Sequence, residues 1–120
     1  MIKIMKNKKV RILGTEYEIV YSNDKSKYAQ LKDLVGFMDS SNKKIVVQKE
    51  PEENEKNKGD WIKVRNEVVR HEVIHAYLYE SGLDGSSNGV VSWATNEEMV
   101  DYFAIQIPKI VKTFKELGVE

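Results

Sequence analysis

Cysteine is absent from this chain, and with it every disulfide, every thiolate metal ligand and every thiol redox pair. A chain without thiols suits a cytoplasmic setting, which is the expected location. A charge surplus is absent too, because 19 basic and 19 acidic residues cancel. Nucleic-acid binders usually carry a basic excess, so no nucleic-acid partner is expected. The one basic cluster, Lys3, Lys6, Lys8, Lys9 and Arg11, reads as a solvated tail and strand edge. No run of 18 apolar residues occurs, so no membrane span is predicted. The opening "MIKIMKNKKVRIL" lacks an apolar core segment and a small-residue cleavage site, so no signal peptide is expected. What is present, 120 residues with 41% hydrophobic and 32% charged, is the make-up of one globular domain spanning residues 1–120.

The pattern along the chain changes once. "KKVRILGTEYEIVYS" reads as two strands, about 8–13 and 16–22, joined at Gly14-Thr15. "KSKYAQLKD" suits a short helix through Tyr28, Leu31 and Leu34. "LVGFMDSSNKKIVVQKE" predicts a second hairpin, with strands 34–38 and 43–49 around the turn 39–42. Residues 50–60 are charged, contain Pro51 and Gly59, and lack apolar anchors, so a mobile loop is expected there.

Beyond that loop the apolar period becomes helical. Asp60 is placed to N-cap a helix from Trp61 to about Glu80, with Val64, Val68, Ile74 and Leu78 at helical spacing. Gly82 suits the left-handed position that ends it. A Gly/Ser/Asn-rich connection, 83–93, leads to Thr95 and Glu98, which have capping-box spacing and open a last helix to about Leu117. Pro108 should kink that helix or divide it. Strands first and helices second predict an α+β fold: a small antiparallel sheet of two hairpins, then two long helices.

The two histidines of the chain share one window, His71-Glu72-Val73-Ile74-His75. On a helix the i and i+4 positions lie one turn apart, so both rings can aim nitrogens at one point. Glu72 is rotated by about 100° from His71, beside that point, where it can hold a water without ligating a metal. A catalytic zinc site takes three protein ligands and keeps an open position. With no cysteine and no third histidine, the remaining ligand must be a carboxylate, and "TNEEMVD" (95–101) supplies candidates. Glu97 and Asp101 share a face, so one can ligate while the other orients a histidine from behind. Glu98 is a weaker candidate, since the capping-box position turns its side chain back to the helix start.

H-E-x-x-H on one helix and N-E-x-x-x-D (Asn96 to Asp101) on the next resemble the motifs of the gluzincin, or thermolysin-like, zinc metallopeptidases. The small size, the β-first order and the tail "EEMVDYFAIQIPKI" also resemble short phage and bacterial metallopeptidases of the ImmA/IrrE type. The motif match covers about thirty residues, from His71 to Asp101. The resemblance implies Zn²⁺ held by His71, His75 and Glu97, Glu72 as general base, and Asp101 as the partner of His71. It implies hydrolysis of a peptide or protein substrate. Thermolysin-like enzymes add a histidine and a tyrosine that stabilise the oxyanion. No histidine is left here, so Tyr79, one turn beyond His75, and Tyr102, beside Asp101, are the candidate donors. The alternative expectation is a zinc-containing protein-binding module of the same fold with little or no peptidase activity.

Overall fold

A computed structural model describes residues 6–51, 60–82 and 96–118. The elements are β1 (Lys8–Ile12), β2 (Thr15–Ser22), a single 3-10 turn (Ala29–Lys32), β3 (Gly36–Asp39), β4 (Lys44–Gln48), α1 (Trp61–Glu80) and α2 (Glu97–Leu117). The architecture is α+β. Most of the charged 50–60 segment, the 83–93 connection and the expected cap Thr95 lie outside the described residues.

Both hairpins form, but they do not make an antiparallel sheet. The strand order is β1-β2-β4-β3, and β2 pairs with β4 in parallel, Glu18 opposite Lys44 through Ser22 opposite Gln48. A parallel pair needs a crossover of a dozen or more residues. Here the chain between β2 and β4, with the 3-10 turn and β3, provides it. Leu31 of the 3-10 turn is buried against Val20 and Val46, which anchors the crossover on one face of the sheet. The central position of β4 explains its unbroken run Ile45-Val46-Val47: side chains on both faces are covered. On the other face, Ile12, Tyr17, Ile19, Ile45 and Val47 pack against α1 through Ala76.

The first turn sits one residue earlier than expected, on Leu13 (φ 49°) and Gly14 (φ 87°), a two-residue connection with positive φ at both positions. Thr15 is therefore already strand, paired with Ile12, and its hydroxyl donates to Glu80 at the end of α1. Tyr17 and Lys43 donate to the same carboxylate at 2.7 and 2.8 Å. These bonds, Lys43 first, hold the Glu80 carboxyl well below its ordinary 4.5, at about 2. Burial and that carboxylate push the Tyr17 hydroxyl up. Ionised Glu80 thus stabilises the fold above about pH 4.5, and the contribution drains away as pH falls toward about 2. In urea titrations, the stability gap between wild type and Glu80→Gln should be widest near neutrality and shrink across that window. A gap independent of pH would contradict the coupling.

Helix α1 runs the expected length, ends with Gly82 at φ 83°, and begins at Asp60, which makes no side-chain capping bond. Its buried stripe is not the expected one. Trp61, Arg65, Glu72 and Ala76 face inward, whereas Val64 is 39% exposed. Arg65 fits because its guanidinium lies over Tyr21 and donates to the Lys49 carbonyl, which also accepts from Trp61 Nε1.

Two features fix α1 against its neighbours. Gly36 of β3 approaches so closely that an added Cβ would lie 2.6 Å from Val68 Cγ1 and 3.2 Å from the Val46 carbonyl oxygen. Val68 is β-branched and stiff in a helix, so it cannot swing aside freely. Gly36→Ala should cost about 1–3 kcal/mol in urea unfolding, and a double-mutant cycle with Val68→Ala should recover much of it. Purely additive losses would rule out that clash. The second feature lies on α2, a continuous helix in which Pro108 neither divides nor ends the element. Pro108 has no N–H for the carbonyl of Ala104, four residues back. Arg70 of α1 fills the vacancy, donating Nε–H to Ala104 O. Val100 and Ala104, both fully buried, complete the contact face of α2.

Candidate metal centre

Helix α2 starts at Asn96, whose side chain accepts from the Met99 N–H at 2.8 Å and caps the first turn. That start brings Glu97 and Asp101 onto α1 opposite His75 and His71. His75 Nε2 lies 2.7 Å from Glu97 Oε1, His71 Nε2 lies 3.2 Å from the same oxygen, and the two Nε2 atoms are 3.1 Å apart. His71, His75 and Glu97 form a group that could hold a metal ion.

The donor set passes a simple test of fit. Tetrahedral coordination at about 2.0–2.1 Å sets donor atoms about 3.3 Å apart, and two of the three separations fall close to that. Asp101 Oδ1 lies 2.6 Å from His71 Nδ1. With the proton on Nδ1, the Nε2 lone pair of His71 faces the triangle, as a ligand requires. The histidine side chains are 18% exposed and Glu97 is 69% exposed, so the triangle has a covered side and an open one.

Glu72 is the unusual residue. It is 9% exposed, its carboxylate is 4.0 Å from His71 Nε2, and it accepts no hydrogen bond from a described residue. Burial pushes its carboxyl above the ordinary range, while His71 and His75 pull it down. A carboxyl so placed beside the cluster, without being part of the triangle, has the position of a proton acceptor.

A cavity of about 340 Å³ fronts the cluster, lined by Leu34, Gly36, Phe37 and Met38 on one side and His71, Glu72, His75 and Glu97 on the other. Strand β3 is therefore both the sheet edge and the wall of the site. Gln48 N–H donates to Val35 O at 2.7 Å, and Gly36 stands opposite Val47. Ladder bonds alternate along an antiparallel pair. The main-chain groups of Val35, Phe37 and Asp39 thus turn toward β4, and those of Gly36 and Met38 turn to the open edge.

The tyrosines stand elsewhere. Tyr79 lies with its ring under the Lys43 ammonium at 4.9 Å, and Tyr102 stacks edge-on with Phe103, rings 5.5 Å apart. Neither lines the cavities around the cluster. Glu98 lies with Asn96, Met99 and Tyr102 along a separate pocket. Sequence reasoning overlooked Arg70, whose role depends on Pro108, and Glu67, which stands one turn before His71 and shares its face. The i−4 spacing was a signal for Glu67; nothing local signals the bond from Arg70.

The class defined by fold and site is an α+β protein with a two-histidine, one-carboxylate cluster suited to a metal ion. Compared with models of known protein families, with curated proteins and with solved structures, the chain matches none.

Proposed function

We propose that the protein is a zinc-dependent endopeptidase of the gluzincin kind, related to the small ImmA/IrrE-type metallopeptidases. The observation that carries this reading is Glu72, a buried carboxylate that accepts no hydrogen bond from a described residue, standing beside His71, His75 and Glu97 but outside their triangle. A structural metal site has no use for such a group, whereas hydrolysis needs it. Zn²⁺ held by the three ligands supplies Lewis acidity, bringing the pKa of a water to about 7 and polarising a carbonyl.

The chain's own residues perform the rest. The outward main-chain groups of Gly36 and Met38 pair with an extended polypeptide, as a sheet edge does when it accepts a strand. Asp101 keeps the His71 ring in one orientation and one tautomer. Glu72 takes a proton from the attacking water and passes it to the leaving nitrogen as the C–N bond breaks.

A binding module without hydrolysis is the competing reading. It draws on the absence, among the described lining residues, of any hydroxyl, lysine or arginine side chain to steady an oxyanion. The deciding experiment is metal analysis with a cleavage assay on a mixed peptide pool. The dialysed protein should hold about one zinc per chain, and new peptide termini should appear, vanish with a chelator and return with added zinc. Zinc binding without any new termini would favour the module.

A further inference from the structure

A second cavity opens beside the cluster, between α1, α2 and the entry to β3. Its volume is about 230 Å³, room for roughly seven waters at ~30 Å³ each, the scale of one large side chain. It shares Gly36, His71 and Glu72 with the cavity at the cluster. A polypeptide paired along β3 would therefore drop a neighbouring side chain into it.

The lining has two characters. Val35, Val68, Ala104 and Ile105 make apolar walls, and Glu67, Glu72 and Asp101 supply carboxylates. Among the described residues no lysine or arginine lines it. Asp101 is engaged by His71, and Glu72 stands at the junction with the cluster cavity. Glu67 is half-buried and has no hydrogen bond or ion pair with the described residues. Arg70, three residues further along α1, donates to Ala104 O and stays out of the lining. A partly desolvated carboxylate without a partner is unfavourable unless a cation meets it.

We propose that this cavity is a side-chain subsite for lysine or arginine of the bound polypeptide, with Glu67 as the residue that recognises the charge. A long aliphatic stem would lie along the apolar walls while its cationic end reaches Glu67, the usual division of labour for these side chains. Leucine or methionine would fill the walls and strip water from Glu67 without pairing it. A glutamate would meet three carboxylates. The inference rests on the polypeptide-binding reading of the site given above.

The test uses peptides of one neutral sequence in which lysine, norleucine or glutamate is scanned through each position. Zinc-loaded wild type, Glu67→Gln and Glu67→Lys are compared for cleavage. The same three position-67 forms in a Glu72→Gln background are compared for binding by fluorescence anisotropy at low salt. At one position, wild type should favour lysine over norleucine by about tenfold. The ratio should fall to near one in Glu67→Gln, and Glu67→Lys should favour glutamate. The near-isosteric Glu67→Gln keeps the result interpretable if Glu67→Lys misfolds. Identical preferences in all three forms, or a preference for norleucine, would overturn the subsite. A charge swap in binding with no cleavage by any form keeps the subsite and removes the peptidase reading. Cleavage without a charge swap does the reverse, and the absence of both removes both.

Discussion

Glu72→Gln abolishes hydrolysis and leaves zinc in place: that is the expected result for a general base that is not a ligand. The amide keeps the size of the side chain but cannot take a proton from water, and a loss of about 10²–10⁴ in kcat/KM follows. The fold should not suffer. Burial pushes the Glu72 carboxyl up, so in the metal-free chain its ionised form works against folding at neutral pH. A neutral amide relieves that, and the melting temperature of the metal-free variant should equal or exceed wild type. Loss of activity would then report chemistry and not damage. Zinc content, melting temperature and cleavage rate measured on one preparation give the answer; retention of activity within about tenfold would remove Glu72 from the mechanism.

The second large effect is on the metal. Zinc binding worth about 10–16 kcal/mol in structural sites is spread over four donors, so removing one costs a few kcal/mol, on the order of 10³-fold in affinity. Glu97→Ala should show that loss, because among the described residues Glu97 Oε1 is the one carboxylate oxygen within 3.2 Å of both histidine Nε2 atoms. Asp101→Asn should lose only about 10–100-fold, since Asp101 holds the far side of the His71 ring. Glu98→Ala should lose nothing, because Glu98 belongs to a different pocket. Competition titration against a zinc chelator ranks the three. Equal affinities for wild type and Glu97→Ala would falsify the ligand assignment.

Much of this was legible in the sequence, for local reasons. The turn residues announced both hairpins, Gly82 marked the end of α1, and i, i+4 spacing put two histidines and two carboxylates on facing stripes. What stayed hidden was non-local. Turn chemistry says which strands are neighbours in a hairpin but not how two hairpins join, so the parallel β2–β4 pairing was missed. The run Ile45-Val46-Val47 was the one hint of a strand covered on both faces. Val64 was misjudged because Arg65 and Glu72 occupy inward positions that apolar periodicity assigns to aliphatic residues. Tyr79 shows the limit of the i+4 rule. Each such step turns about 40° round the helix, so two steps carry Tyr79 about 80° away from His71, toward Lys43.

The bond from Arg70 to the carbonyl that Pro108 leaves free has a consequence for metal exchange. It lies beside His71 in sequence and one turn beyond Asp101. Together with the buried Val100 and Ala104, it fastens α2 to α1 by forces that owe nothing to an ion. His71, His75 and Glu97 are therefore held together without an ion, and a metal that entered would find all three donors in place, with no search for the helix that carries the third. Proline, ordinarily a defect in a helix, serves here as the eyelet of a clasp.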